Sequence, residues 1–109
     1  MKMPKFQGSA LSDLRVFPNS ARREAGYQLD KVQNEQLPTD WKPMTTVGKG
    51  VLEIRIRDET GAFRVIYTAK FADAMYVLHC FQKKTQKTSK TDLDLAAKRY
   101  GDLIKELGQ

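Results

Sequence analysis

The stretch Val51 to Arg57 alternates without a break, with Leu52, Ile54 and Ile56 on one side and Glu53, Arg55 and Arg57 on the other. A period of two marks a strand with one buried face and argues against an amphipathic helix over the same residues. Asp58-Glu59-Thr60-Gly61 reads as a turn, with Gly61 free to take positive φ. Phe63 to Lys70 resumes the alternation: Phe63, Val65 and Tyr67 oppose Arg64, Ile66, Thr68 and Lys70. This predicts an antiparallel hairpin partner. After the turn Phe71-Ala72-Asp73, residues Met75 to Phe81 are apolar on both faces, as a central strand is.

Helical spacing flanks this sheet. Lys5-Phe6-Gln7 reads as a short strand ending at Gly8, and Ser9 then caps a short helix carrying Leu11, Leu14 and Phe17. Pro18 stops it. Asn19 or Ser20 caps a second helix to about Gln36, with Ala21, Ala25, Leu29 and Val32 as its apolar stripe and Gly26 available for close packing. Between Leu37 and Lys49, Pro38 and Pro43 argue for an irregular loop, with Trp41 as a core anchor. The last helix starts at Ser89 or Thr91, with Thr91 and Asp94 as a capping box, and runs to Leu107. Its ladder is Leu93, Ala96, Ala97, Tyr100, Leu103, Ile104 and Leu107. The expected fold is α+β: N-terminal helices, an antiparallel meander and a C-terminal helix, in one domain of residues 1–109. The helices should cover the face of Leu52, Ile54, Ile56, Phe63, Val65 and Tyr67.

The chain carries 19 Lys+Arg against 13 Asp+Glu, a net charge of +6 that favours a polyanionic partner. Cys80 is alone, so no internal disulfide forms, which fits a reducing compartment. No apolar run reaches the roughly 18 residues of a membrane span, and no apolar stretch follows the N-terminal Met-Lys-Met-Pro-Lys, so the expected location is cytoplasmic. One His, one Cys and no ligand pair at metal spacing argue against a metal site, and no Gly-rich phosphate loop or cofactor motif is present.

The alternation puts Arg55, Arg57, Arg64 and Lys70 on the sheet face opposite the helices. Cross-strand neighbours on one face lie about 5 Å apart, and like charges that close repel unless an anion lies between them. Lys83, Lys84 and Lys87 follow the last strand and are placed to close over the same face. A plain solvated face, its arginines paired to Glu53, Asp58 and Glu59, is the competing reading. His79 is a candidate general acid or base, or a packed core histidine sharing a face with Met75, Val77 and Phe81. Cys80, its neighbour, points the other way, which argues against a Cys–His pair.

Three stretches, Glu53 to Arg57, Gly61 to Tyr67 and Tyr76 to Thr88, with Ser9 to Tyr27 upstream, resemble the phage-derived, HigB-like branch of the RelE/ParE toxin superfamily. Phe-Arg-Val-Ile-Tyr at 63–67 and Phe-Gln-Lys-Lys-Thr-Gln-Lys-Thr at 81–88 carry the resemblance together. It implies the toxin of a type II toxin–antitoxin pair, an mRNA interferase acting on the ribosome without metal or cofactor. The ribose 2′-OH attacks the adjacent phosphate, leaving a 2′,3′-cyclic phosphate and a 5′-OH. The resemblance assigns Arg55 and Arg57 to the catalytic strand, Arg64 to a transition-state clamp, Lys84 with Lys83 to the basic position after the last strand, and Lys87 to RNA contact. RelE has a lysine where this chain has Glu53, and a tyrosine near the last helix where this chain has Leu93. His79, a lysine, or positioning alone then activates the 2′-OH.

The resemblance also implies a cognate antitoxin, often with a helix-turn-helix domain, that covers the basic face or holds the last helix. Two alternatives stay open: a ParE-like inhibitor of DNA gyrase that works by binding, and a nucleic-acid-binding module with an incomplete site.

Overall fold

The alternating stretch is realised as β3 (Val51–Asp58), paired antiparallel with β4 (Gly61–Thr68) so that Arg55 faces Arg64 and Ile54 faces Val65. Gly61 closes the hairpin at φ 137, a region that L side chains avoid. β5 (Ala74–Lys83) pairs antiparallel with β4. The structure is a computed structural model describing residues 1–108. The remaining elements are β1 (Met3–Phe6), α1 (Ala10–Arg15), α2 (Asn19–Gln33), β2 (Trp41–Pro43) and α3 (Lys90–Glu106).

Two edge strands extend the expected meander into a five-stranded sheet of order β1-β5-β4-β3-β2. β1 lies parallel to β5, so the sheet is mixed; it begins at Met3 rather than Lys5. β2 forms inside the segment expected to be irregular. Pro43 is tolerated because β2 is an edge strand, where a missing N–H costs little. Trp41 is only half-buried there and does not belong to either core.

Each sheet face has its own core. α1 and α2 bury Leu14, Phe17, Ala21, Ala25 and Leu29 against Ile54, Ile56, Phe63, Val65 and Tyr67, as the periodicity required. The last helix departs from expectation. α3 packs Ala96 and Leu103 against Val51, Ile66, Tyr76 and Leu78 on the opposite face. β4 and β5 are therefore covered on both sides, which accounts for the double-sided apolar character of β5.

A β-bulge divides β5: Ile66 pairs with His79, yet the next residue, Tyr67, pairs with Val77. The extra residue, Leu78, changes the alternation, because Met75 and Val77 face α1 and α2 while His79 shares the α3 side with Ile66. His79 thus shares its face with Phe81 but not with Met75 or Val77. Arg99 of α3 donates from Nη1 to the Leu78 carbonyl (2.9 Å) and from Nη2 to Ser9 Oγ (2.9 Å). Gly8, at φ 54, makes room for it, since a Cβ there would lie 2.7 Å from Arg99 Nε. One arginine therefore links α3, the bulge and the start of α1.

Helix starts differ in detail from expectation. Ser89 caps α3 by accepting from the Asp92 N–H at 3.1 Å, and Thr91 lies inside the helix. α2 starts after Pro18 with no side-chain cap: Asn19 accepts from Arg22, and Ser20 donates to Asp58. Gly26 serves no close approach, since a Cβ at that position meets nothing within 4 Å; the same holds at Gly101 in α3. Both helical glycines therefore cost backbone entropy without a packing return. Gly26→Ala and Gly101→Ala should each stabilise the fold by about 0.5–1 kcal/mol, read as a higher urea midpoint at unchanged slope.

Candidate anion-binding site

On the α3 face, the sheet changes character along the strands. The row Ile66–His79 lies under α3, the next row is Arg55–Arg64–Phe81, and the last before the hairpin is Arg57–Ala62–Lys83. α3 covers the apolar rows and stops short of the basic ones. Ala62 stands between Arg57 and Lys83, and its short side chain leaves a hollow at the centre of the last row. The resulting open concavity of about 500 Å³ is lined by Arg55, Arg57, Arg64, Lys83 and Lys84. That volume is in the range of small-ligand sites.

These side chains differ in how they are held. Arg55 and Arg57 are exposed, and among the described residues neither has a carboxylate partner. Asp58, the nearest candidate on the strand, is engaged elsewhere. It accepts from Thr60 Oγ1 at 2.5 Å, Ser20 Oγ at 2.7 Å and the Thr60 N–H at 2.8 Å, and these hydrogen bonds, the Thr60 hydroxyl first, hold its carboxyl below the usual carboxylate range. Arg64 is only 4% exposed. Its Nη1 donates to Phe63 O at 3.0 Å, and its Nε lies 3.5 Å from Oε1 of the buried Glu53 without a hydrogen bond. Burial lowers the Arg64 pKa, Glu53 opposes this, and Arg55 and Arg57 add to the lowering. Glu53 also accepts weakly from Thr88 Oγ1 at 3.4 Å, so one carboxylate joins the arginine row to the basic loop. Lys83 is half-exposed; burial first, then Arg64, Lys42 and Arg55, lower its pKa against the opposing pull of Glu53.

Three sequence-identified residues lie outside this concavity. Lys70 sits beyond the α3-covered rows, donating to Lys49 O at 3.1 Å and Tyr100 Oη at 2.6 Å, where it secures the far end of α3. His79 is 5% exposed. Its Nε2 lies 2.7 Å from Asp92 Oδ1, its ring stacks on Phe81 at 4.8 Å, and its Nδ1 is buried without a partner. Phe81 thus stands between His79 and the arginines. Lys87 lines a neighbouring concavity together with Lys42 and Lys83. Sequence reasoning missed Lys42, because β2 was hidden behind two prolines, and missed the buried state of Glu53, because alternation placed it beside exposed arginines. Cys80 faces α1, and burial pushes its thiol up to about 12, which disfavours a thiolate.

Two outcomes follow from this geometry. Glu53→Ala, which strands the buried Arg64 charge, should cost about 3 kcal/mol by urea denaturation, and adding Arg64→Met should recover most of it. Phosphate bound in the concavity stabilises protonated Lys83 and raises its lowered pKa. Binding should therefore take up protons at alkaline pH, and affinity should fall as pH climbs through the free-state value of Lys83. Titration calorimetry with a dinucleotide in buffers of different ionisation enthalpy reads the uptake, and Lys83→Met should remove it.

No curated protein matches this sequence. By structure, the chain resembles the E. coli toxin RelE, solved in the free state as a variant with two arginines changed to alanine. The TM-score is 0.63 at 12% identity, covering 94% of this chain and 97% of that one. The fold is thus that of RelE. No helix among the described residues is long and apolar enough to cross a membrane. The family model described as phage-derived protein Gp49-like matches residues 12–101, spanning both helical layers and the basic strands, and the chain belongs to that family.

Proposed function

We propose that this chain is the toxin of a type II toxin–antitoxin pair and cuts mRNA on the ribosome as a metal-independent endoribonuclease. The RelE fold and the phage-derived family support the toxin reading. One observation carries the nuclease: two exposed arginines that have no carboxylate partner among the described residues, a buried third and two lysines surround one hollow.

In this reading the scissile phosphate sits over Ala62. Arg55, Arg57 and Arg64 neutralise the charge that builds on the pentavalent phosphate as the 2′-OH attacks. Arg64 is pre-oriented by its burial and by Glu53, so little reorganisation accompanies the reaction. Lys83 accepts the 2′-OH proton through its neutral form, a form that burial and the neighbouring cations make more accessible than in a free lysine and that bound phosphate opposes. Lys84, more exposed and on the same rim, protonates the leaving 5′ oxygen. His79 acts from behind, fixing Phe81 and the start of α3 through Asp92. Lys87 contacts RNA, and Lys70 serves α3 rather than the strand. The cognate antitoxin neutralises the toxin by covering the basic face.

Arg55→Ala with Arg57→Ala is the cleanest test, because both side chains are exposed and removing them leaves no buried charge. The pair should lower cleavage in a purified translation extract by about 10²–10³-fold and relieve growth arrest, with wild-type products ending in 2′,3′-cyclic phosphate. Intact mRNA 5′ ends after induction of the wild type, with relaxed plasmid DNA instead, would replace the nuclease by a gyrase inhibitor.

A further inference from the structure

The basic face does not end at the arginine rows. β2 adds a fourth strand to it, and the register Lys42↔Glu53 puts Lys42 on the same side as Arg55 and Arg57. Beside the first concavity lies a second, of about 380 Å³, lined by Lys42, Thr45, Thr46, Lys87 and Thr88. Lys83 and Gln86 belong to both, so the two hollows share one rim. Lys83 senses this arrangement directly, since Arg64 and Arg55 on one side and Lys42 on the other all disfavour its charge.

Lys42 and Lys87 are exposed and, among the described residues, form no ion pair. The exposed Thr45 and Thr46 add hydroxyl donors, while Met44 and Leu93 give the hollow an apolar floor. A single small anion satisfies one hollow only. A chain whose negative charges repeat relieves the repulsion in both, and sugar or base has apolar surface to rest on between them.

We propose that Lys42 and Lys87, with Thr45 and Thr46, form a second phosphate subsite that holds the nucleotide adjacent to the scissile one on a single RNA strand. The proposal rests on the nuclease reading for the identity of the first hollow. It makes β2 part of the substrate track, and it gives the loop after β5 a role on both sides of Lys83.

The test is fluorescence anisotropy of a labelled, uncleavable 2′-O-methyl RNA decamer across a salt titration. Each single-strand phosphate contact contributes about 0.7 to the slope of log K against log salt. Lys42→Gln with Lys87→Gln, which removes one phosphate contact, should therefore flatten the slope by about 0.7, and Lys42→Arg with Lys87→Arg should keep it. An unchanged slope in the glutamine pair overturns the subsite. Binding of an acidic peptide weakened by that pair while the RNA slope stays fixed also overturns it and assigns the hollow to a protein segment. Arg55→Ala run in parallel separates the two readings. If it flattens the slope and the lysine pair does not, only the second subsite falls. If the lysine pair alone flattens it, the second subsite stands and the scissile site at the arginines falls.

Discussion

Double-sided burial of β4 and β5 is the constraint on which the rest depends. α1 and α2 cover one face and α3 covers part of the other, so the two central strands have no solvent side over most of their length. Burial of both faces requires apolar residues at successive positions, and these strands supply them from Val65 to Tyr67 and from Ala74 to Leu78. The basic residues of β3, β4 and β5 are consequently confined to the hairpin end of β3 and β4 and the exit of β5, where α3 no longer reaches. The concavity is the uncovered remainder of a packed face, bounded on one side by helix and floored by Ala62.

The price of placing arginine at that boundary is visible in Arg64. Its guanidinium is nearly as buried as the core beside it, and Glu53 compensates from the adjacent strand. A buried ion pair of this kind adds little net stability, and its long contact distance suggests that stability is not its main return. It fixes a cation at the floor of the hollow while Arg55 and Arg57 stay exposed around it. The same carboxylate reaches Thr88, which links the arginine row to the loop that carries Lys84 and Lys87. Glu53 therefore serves the buried arginine and the loop rather than the open face.

Much of the architecture was legible from local pattern. The hairpin of β3 and β4, its turn at Gly61, the α2 stripe and the α3 ladder each follow from a period of 2 or 3.6 and a breaker at the end. Arg55, Arg57 and Arg64 could be assigned to one face by counting, since a strand has only two. What counting did not reveal was where along that face the cover ends. Lys70 has the same parity as Arg64 but lies past the rows that α3 buries, bonded to Tyr100. The bulge at Leu78 shifted His79 to the other face, and a one-residue insertion leaves no signature in an apolar run. β2 escaped because proline counts against a strand unless that strand is known to be an edge, which depends on its neighbours.

By itself, then, the sequence determined the elements, the composition of each face and a cationic surplus gathered on two strands and a loop, because side-chain direction within a helix or strand is set by the local backbone repeat. Only the tertiary structure decided that α3 lies opposite α1 and α2, that Lys42 belongs with the arginines and Lys70 does not, and that Glu53 is buried against Arg64. Those outcomes depend on which helix covers which rows of a shared face, a packing choice made among residues far apart in the chain.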